Sequence, residues 1–373
     1  MRLLARHTSS LLLLALGTGA LGPLRAQTAG TLAVTVAAED GNVPLQNARV
    51  VLYAQQREGL TNAEGRLRFA GVAPGRALLR VLRIGYIPWD TTVDVRANAA
   101  VEVRVQLHHL AVTLEAVRVV EYPPCRNPGV PEAVRDSVLS RLIEQLRLNA
   151  EQYRYLINAR PFHYVALRVA GKLYEVSGTR ADSVDTITVR SDQKGWRYQP
   201  GRILEADRGV NRRLEQAMHL PTLGDFASEE FLQNHCFYFA GVERSLGEAA
   251  LARIDFRAPE RLRSPDVDGS IWLDPNTFAI RRAELQLSRI PKDLRGIAGV
   301  RVTTTFAEVL EAVPIFETVE GVTSLKPYPA KDPVTAFLES QRLLRVVFAN
   351  GPPQGGSDLT TAVTRGRASS RSS

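Results

Sequence analysis

The chain has 373 residues, too many for one small domain; about 100–200 residues per domain predicts two or three. Apolar residues make up 45% and charged residues 23%, which excludes a disordered or membrane-embedded chain and leaves ample material for a core. Lys and Arg number 47 against 39 Asp and Glu, a net charge of +8. The excess is diluted without a block of like charges, so nucleic acid is not the expected partner.

Arg2 and Arg6 precede the apolar run Leu11-Leu12-Leu13-Leu14-Ala15-Leu16, and small residues lead to Leu24-Arg25-Ala26. This order predicts a secretory signal peptide over 1–26. A membrane anchor would need about 20 apolar residues, and no later segment reaches that length either. No Cys follows the run, which argues against a lipid-anchored lipoprotein. The expected address is periplasmic or extracellular, at most peripheral to an outer membrane, with no transmembrane span after cleavage.

Cys125 and Cys236 are the two cysteines. In an oxidising compartment a lone pair tends to form one disulfide, which would add about 4 kcal/mol by restricting the unfolded chain. The alternative is two unpaired thiols, with Cys236 buried as a small apolar residue. Neither a zinc knuckle nor a Cys-x-x-Cys redox site can be built from them.

Between Gly30 and Leu107 apolar and polar residues alternate in short runs. Residues 32–36, 48–53, 67–69, 78–82 and 101–105 read as strands, with turns at Asp40-Gly41, Glu64-Gly65 and Pro74-Gly75. That spacing without helical periods predicts a β-sandwich. The series Pro44-Leu45-Gln46-Asn47-Ala48-Arg49-Val50, Thr61-Asn62-Ala63-Glu64-Gly65-Arg66-Leu67-Arg68-Phe69, Gly71-Val72-Ala73-Pro74-Gly75 and Gly85-Tyr86 resembles the carboxypeptidase regulatory-like domain family. The resemblance covers 30–107 and implies a seven-stranded sandwich similar to transthyretin, in which these residues build the fold and do no chemistry. The same module accompanies zinc peptidases, yet His108 and His109 begin no His-x-x-Glu and no His-Glu-x-x-His occurs. It also opens TonB-dependent outer-membrane receptors, and Leu114-Glu115-Ala116-Val117-Arg118-Val119-Val120 resembles the segment that follows it there. The remaining chain is too short for a receptor barrel.

Residues 108–130, with Tyr122-Pro123-Pro124-Cys125 and Pro128-Gly129, read as a linker. Beyond it Pro131 offers a helix start, and Val134, Val138, Leu142 and Leu146 recur every fourth residue, with Leu139, Ile143 and Leu156 widening the stripe. This predicts an amphipathic helix over about 131–158 packed on its own sheet. Strands are expected at 162–169 and 172–177 as a hairpin about Ala170-Gly171, and at 184–189 and 195–198. A helical insertion is expected over 205–236, where Leu214, Met218, Phe231, Leu232 and Cys236 are spaced for one face. Strands resume at 252–256, 269–274, 279–287, 300–306, 315–322 and 343–348, and 350–373 is a solvated, disordered tail.

Gly269-Ser270-Ile271-Trp272-Leu273-Asp274-Pro275-Asn276-Thr277-Phe278-Ala279-Ile280-Arg281-Arg282 resembles the hairpin of lipoprotein-carrier-like proteins. That resemblance implies a strongly curved antiparallel sheet packed on helices over 131–349, with an apolar hollow for a lipid or acyl chain. Trp196, Phe237, Phe239, Phe256 and Trp272 are the candidate lining residues, although each is an ordinary core residue on the plainer reading. Asp266-Val267-Asp268-Gly269 has the look of a calcium-loop fragment, but its glycine comes too early and the closing glutamate is missing, so a turn is the preferred reading. His163 with Asp182 or Asp185 and Ser177 or Ser183 offers the parts of a hydrolytic set, as does any chain of this size. No catalytic, cofactor-binding or metal-binding residue is assigned. The expected protein is mainly β and non-enzymatic, a cell-envelope chain whose sandwich docks a partner through an edge while the back half holds an apolar ligand. The alternatives are an envelope hydrolase carrying a regulatory sandwich and an accessory of a TonB-dependent uptake system.

Overall fold

A computed structural model of the chain describes residues 29–112, 123–130, 132–191, 195–208, 214–244, 249–292 and 294–349. The signal segment, the receptor-like stretch 114–120 and the tail lie outside the described residues.

Seven strands form the front half: β1 (Gly30–Ala38), β2 (Arg49–Leu52), β3 (Arg57–Leu60), β4 (Arg66–Val72), β5 (Gly75–Leu82), β6 (Trp89–Val95) and β7 (Ala100–Leu107). They make two sheets, ordered β4-β1-β7 and β3-β2-β5-β6, with β1 antiparallel to β4 and parallel to β7. Period-two alternation turns Leu32, Val34 and Val36 of β1 inward against Val50, Leu52, Leu79 and Val81, which are at most 1% exposed. The sequence reading missed β3 and β6, short edge strands rich in charged and Thr residues.

Helix α1 (Ser137–Ala159) starts six residues after the Pro131 signal, because Asp136 is its cap: the carboxylate accepts from Leu139 N at 2.8 Å. Val134, assigned to the apolar stripe, precedes the helix and is 96% exposed. Val138 is half-buried and the rest of the stripe is buried, as are Gln145, Asn149 and Gln152 on the same face. Gln145 Oε1 accepts from Gly85 N at 2.8 Å, and Gln152 Nε2 donates to Asn47 O at 2.9 Å. Asn149 turns the other way, donating to Phe278 O and accepting from Ile280 N, both at 2.9 Å. The helix therefore fastens to the sandwich and to the back half by side-chain bonds that complete buried backbone groups.

The back half is one antiparallel sheet of nine strands: β8 (Phe162–Tyr174), β9 (Gly178–Arg190), then, after the hairpin β10 (Leu204–Arg208) and β11 (Leu214–Met218), β12 (Cys236–Glu243), β13 (Leu251–Arg257), β14 (Val267–Leu273), β15 (Ile280–Leu287), β16 (Ile297–Leu310), β17 (Val313–Leu325) and β18 (Val334–Phe348). The order is β12-β13-β14-β15-β16-β17-β18-β8-β9. Register shifts interrupt β8, β12, β14, β16 and β18, and such bulges bend a strand. The expected fold class, mainly β with a sandwich followed by a large antiparallel sheet packed on helix, is what the chain adopts.

Three local expectations are corrected. Ala170-Gly171 is no hairpin turn: β8 runs straight through it, and a Cβ on Gly171 would sit 2.4 Å from Arg180 O, so the glycine admits a bulge. Among the described residues of the expected helical insertion 205–236, the first part pairs as the β10 and β11 strands, and the helix is limited to a 3-10 turn (Asp225–Ala227) and a one-turn α2 (Glu229–Leu232). Leu214 and Met218 are four apart, a spacing that returns to the same face of a strand as well as of a helix. Residues 195–198 form no strand.

Cys125 and Cys236 are joined by a disulfide across 111 residues. Gly129 bridges Cys236 in parallel, so the 123–130 segment lies along the β12 edge. The sandwich does not hang free as an appendage, because Leu82, Ile84 and Leu110 share one hydrophobic cluster with α1 and the back sheet. No helix among the described residues is long and apolar enough to cross a membrane.

Candidate functional site

The face of the nine-stranded sheet beneath α1 carries an apolar hollow of 260 Å3. Its floor follows from strand register. Ala283, Thr304, Val319 and Gln341 lie opposite one another across β15 to β18, and Leu285 faces Val302 in the next row. Phe306 and Phe316 close one side, and Tyr164 meets the Phe316 ring edge-on at 4.9 Å. Tyr153 of α1 and the 220–226 segment form the roof.

That roof is held by Asp225. Its Oδ2 accepts from Thr222 N and Thr222 Oγ1, both at 2.8 Å, and its Oδ1 accepts from Tyr198 N at 3.1 Å. The clamp sets the 3-10 turn that carries Phe226 into the hollow. Burial pushes the Tyr153 hydroxyl up to about 12 and raises that of Tyr164, so both stay neutral at any ordinary pH. Thr304 and Gln341 are the polar side chains of the floor. The lining offers dispersion contacts, the hydroxyls of Tyr153, Tyr164, Thr222 and Thr304 and the Gln341 amide, and the Thr222 hydroxyl is taken up by its bond to Asp225 in the roof.

The five residues proposed as lining stand elsewhere. Phe256, 1% exposed, packs against Phe226, Phe231, Phe237 and His235 in the filled part of the core. Phe237 is 5% exposed, and Phe239 is half-buried against the same cluster. Trp196 stacks on His219 at 5.3 Å. Trp272 lies on the opposite face, since it pairs with Arg282, and Arg282 with Thr305, the residue beside Thr304. There it sits between the Arg253 and Arg282 guanidiniums while its Nε1 donates to Glu243 at 2.9 Å. The sequence reading favoured aromatics on the first strands of the sheet. The signal it passed over was the every-second-residue series Val302, Thr304, Phe306 on β16.

The imagined hydrolytic set is not assembled. His163 opens β8 opposite Arg190, whereas Ser177 lies beyond the far end of that strand, roughly 40 Å along it. Asp185 takes Arg168 at 3.0 and 2.6 Å, Asp182 pairs with Lys172 at 3.1 Å, and Ser177 donates to Asp332 at 2.6 Å. Asp266 immediately precedes β14, and Val267-Asp268-Gly269 belong to that strand instead of a turn or a cation loop; Asp266 accepts from Tyr198 Oη at 3.0 Å, Gly201 N at 2.9 Å and Val267 N at 2.8 Å. Among the described residues no group of three His, Cys, Asp or Glu could hold a metal ion.

No curated protein matches the chain. Among solved structures it is similar to the minor pilin of Streptococcus agalactiae, with 19% identity, 25% of this chain and 49% of that one covered, and a TM-score of 0.22. The Bacillus anthracis TIE protein gives 6% identity, coverage of 83% and 48%, and a TM-score of 0.23. A DUF3823 family protein from Bacteroides uniformis gives 10%, 63% and 92%, and 0.18. The chain spans about half the length of the first two. At these scores the fold description rests on strand order and register alone. The family model for the carboxypeptidase regulatory-like domain matches residues 31–108, which span strands β1 to β7 apart from Gly30, so the front of the chain is similar to that domain.

Proposed function

We propose that this is a non-enzymatic cell-envelope protein whose back sheet binds a short apolar ligand in the hollow between α1 and strands β15 to β18. The observation that carries the reading is the hollow itself, with an apolar floor set by strand register and a roof pinned by Asp225. Its 260 Å3 falls just below the range of about 300–1,000 Å3 usual for small-molecule sites. That size fits one end of an acyl chain or a single aromatic group, not a whole diacyl lipid. The sandwich is fastened to the sheet through α1, so it holds the sheet in place while its own free strand edges remain open to strand addition by an envelope partner.

The test is calorimetric titration of the delipidated protein with decanoate. One saturable site is expected. Thr304→Phe, which places a ring over the floor and leaves every hydrogen-bonding partner of Asp225 in the sequence, is expected to weaken binding at least about tenfold, equal to about 1.4 kcal/mol. Absence of a saturable site, or unaltered affinity in Thr304→Phe, contradicts the proposal.

A further inference from the structure

The back sheet has two ends. At one, the β16–β17 turn and the β14–β15 turn meet the sandwich: Arg83 pairs with Glu311 at 2.6 Å, and a Cβ on Gly85 would lie 3.0 Å from Thr277 O. The other end is separated from it by the 14 residues of β16, roughly 45 Å of strand. The loops there are tied into one rim. Ser288 N donates to Asp266 O at 2.8 Å, Lys326 N to Gly296 O at 2.9 Å and Glu175 N to Pro333 O at 3.0 Å. Along the strand order from β13 to β9 the rim extends roughly 34 Å.

Among the described residues its charge is one-sided. The 258–266 loop exposes Arg261 and Arg263, and the 288–296 loop exposes Arg289, Lys292 and Arg295. Lys326 and Lys331 are exposed in the 326–333 loop. The opposing carboxylates among the described residues of these loops are few, and three of the four are engaged. Asp266 is fully buried, Glu260 faces Arg126 at 3.6 Å, and Asp332 accepts from Val176 N at 2.9 Å and from Ser177 at 2.6 Å; Glu175 is exposed. The Asp332 bonds hold Val176 at the crest of the rim, 77% exposed, and Tyr328 stands nearby at 45%.

We propose that this rim docks the protein on the surface of an anionic phospholipid bilayer. Charge complementarity names the partner: a broad row of cations meets a negative leaflet, and an exposed valine and tyrosine among them suit the headgroup boundary, where a charged polymer in water would leave both unburied. Electrostatic attraction and shallow apolar insertion are each weak alone and hold together. This placement does not depend on the hollow being occupied.

The experiment is co-sedimentation of the purified chain with phosphatidylcholine vesicles, with and without phosphatidylglycerol. Binding is expected only to the anionic vesicles and is lost at about 0.3 M salt, where screening is strong. The triple variant Arg295→Gln, Lys326→Gln, Lys331→Gln is expected to lower partitioning about a hundredfold, at about fivefold per cation. Val176→Ser is expected to lower it severalfold. The double variant Arg66→Gln, Arg104→Gln, on the outer face of the sandwich, is expected to bind as the parent. Equal binding to neutral vesicles, an unaltered triple variant, or equal loss in the sandwich variant overturns the proposal. Binding to polyglutamate or duplex DNA through the same cations, without vesicle binding, also overturns it.

Discussion

Replacing Asn149 by Ala should loosen the fastening of α1 to the back sheet. Asn149 is fully buried and completes Phe278 O and Ile280 N, themselves fully buried. Each backbone group left without a partner costs about 1–3 kcal/mol, so the pair costs about 2–6 kcal/mol. The Asn149 bond to Gln145 O lies within the helix, and Ala recovers about 0.6 kcal/mol there through helix propensity. The net expectation is a loss of about 1.4–5.4 kcal/mol. Urea unfolding measures it as a lower midpoint at constant slope, with the exposed Arg141→Ala as a control expected within about 0.5 kcal/mol of the parent. A loss below about 1 kcal/mol for Asn149→Ala would refute the claim that these bonds fasten the helix.

The 111-residue separation of the bridged cysteines predicts that Cys125→Ser with Cys236→Ser costs about 2–5 kcal/mol, checked by unfolding of the oxidised protein beside the variant. Arg83 is 7% exposed, and its Nε and Nη1 have no partner. Glu311→Ala, which strands that buried guanidinium, should therefore destabilise more than Arg83→Met, which removes it, and equal or reversed losses in thermal melts would contradict the assignment. The neutral Tyr153 hydroxyl is raised to about 12 by burial, so its stabilising contribution is complete below pH 10 and is lost as pH rises toward 12, by up to about 2–3 kcal/mol. Tyr153→Phe should flatten the alkaline fall in stability, and an unaltered alkaline profile would count against it.

The sandwich was legible because its evidence is local. Alternation and the Gly-containing turns such as Glu64-Gly65 are written in adjacent residues, and only the charged edge strands β3 and β6 escaped. The disulfide followed from compartment and count. The hollow was not legible for a different reason: Ala283, Thr304, Val319 and Gln341 meet through a register shared by four strands, and no one of them is unusual in sequence. Large aromatics were the natural guess, yet Phe256 and Phe237 fill space instead of bounding it. Likewise nothing in the apolar stripe points to Gln145, Asn149 and Gln152, because their partners are backbone groups more than 50 residues away.

The central claim is that the sheet face beneath α1 accepts a short apolar ligand, and methyl-resolved NMR with decanoate tests it most directly. The account predicts saturable shifts of the Leu220, Leu223, Leu285, Val302 and Val319 methyls, with Val34 and Leu79 of the sandwich core unmoved. Methyls of the hollow that stay fixed while others shift would contradict it.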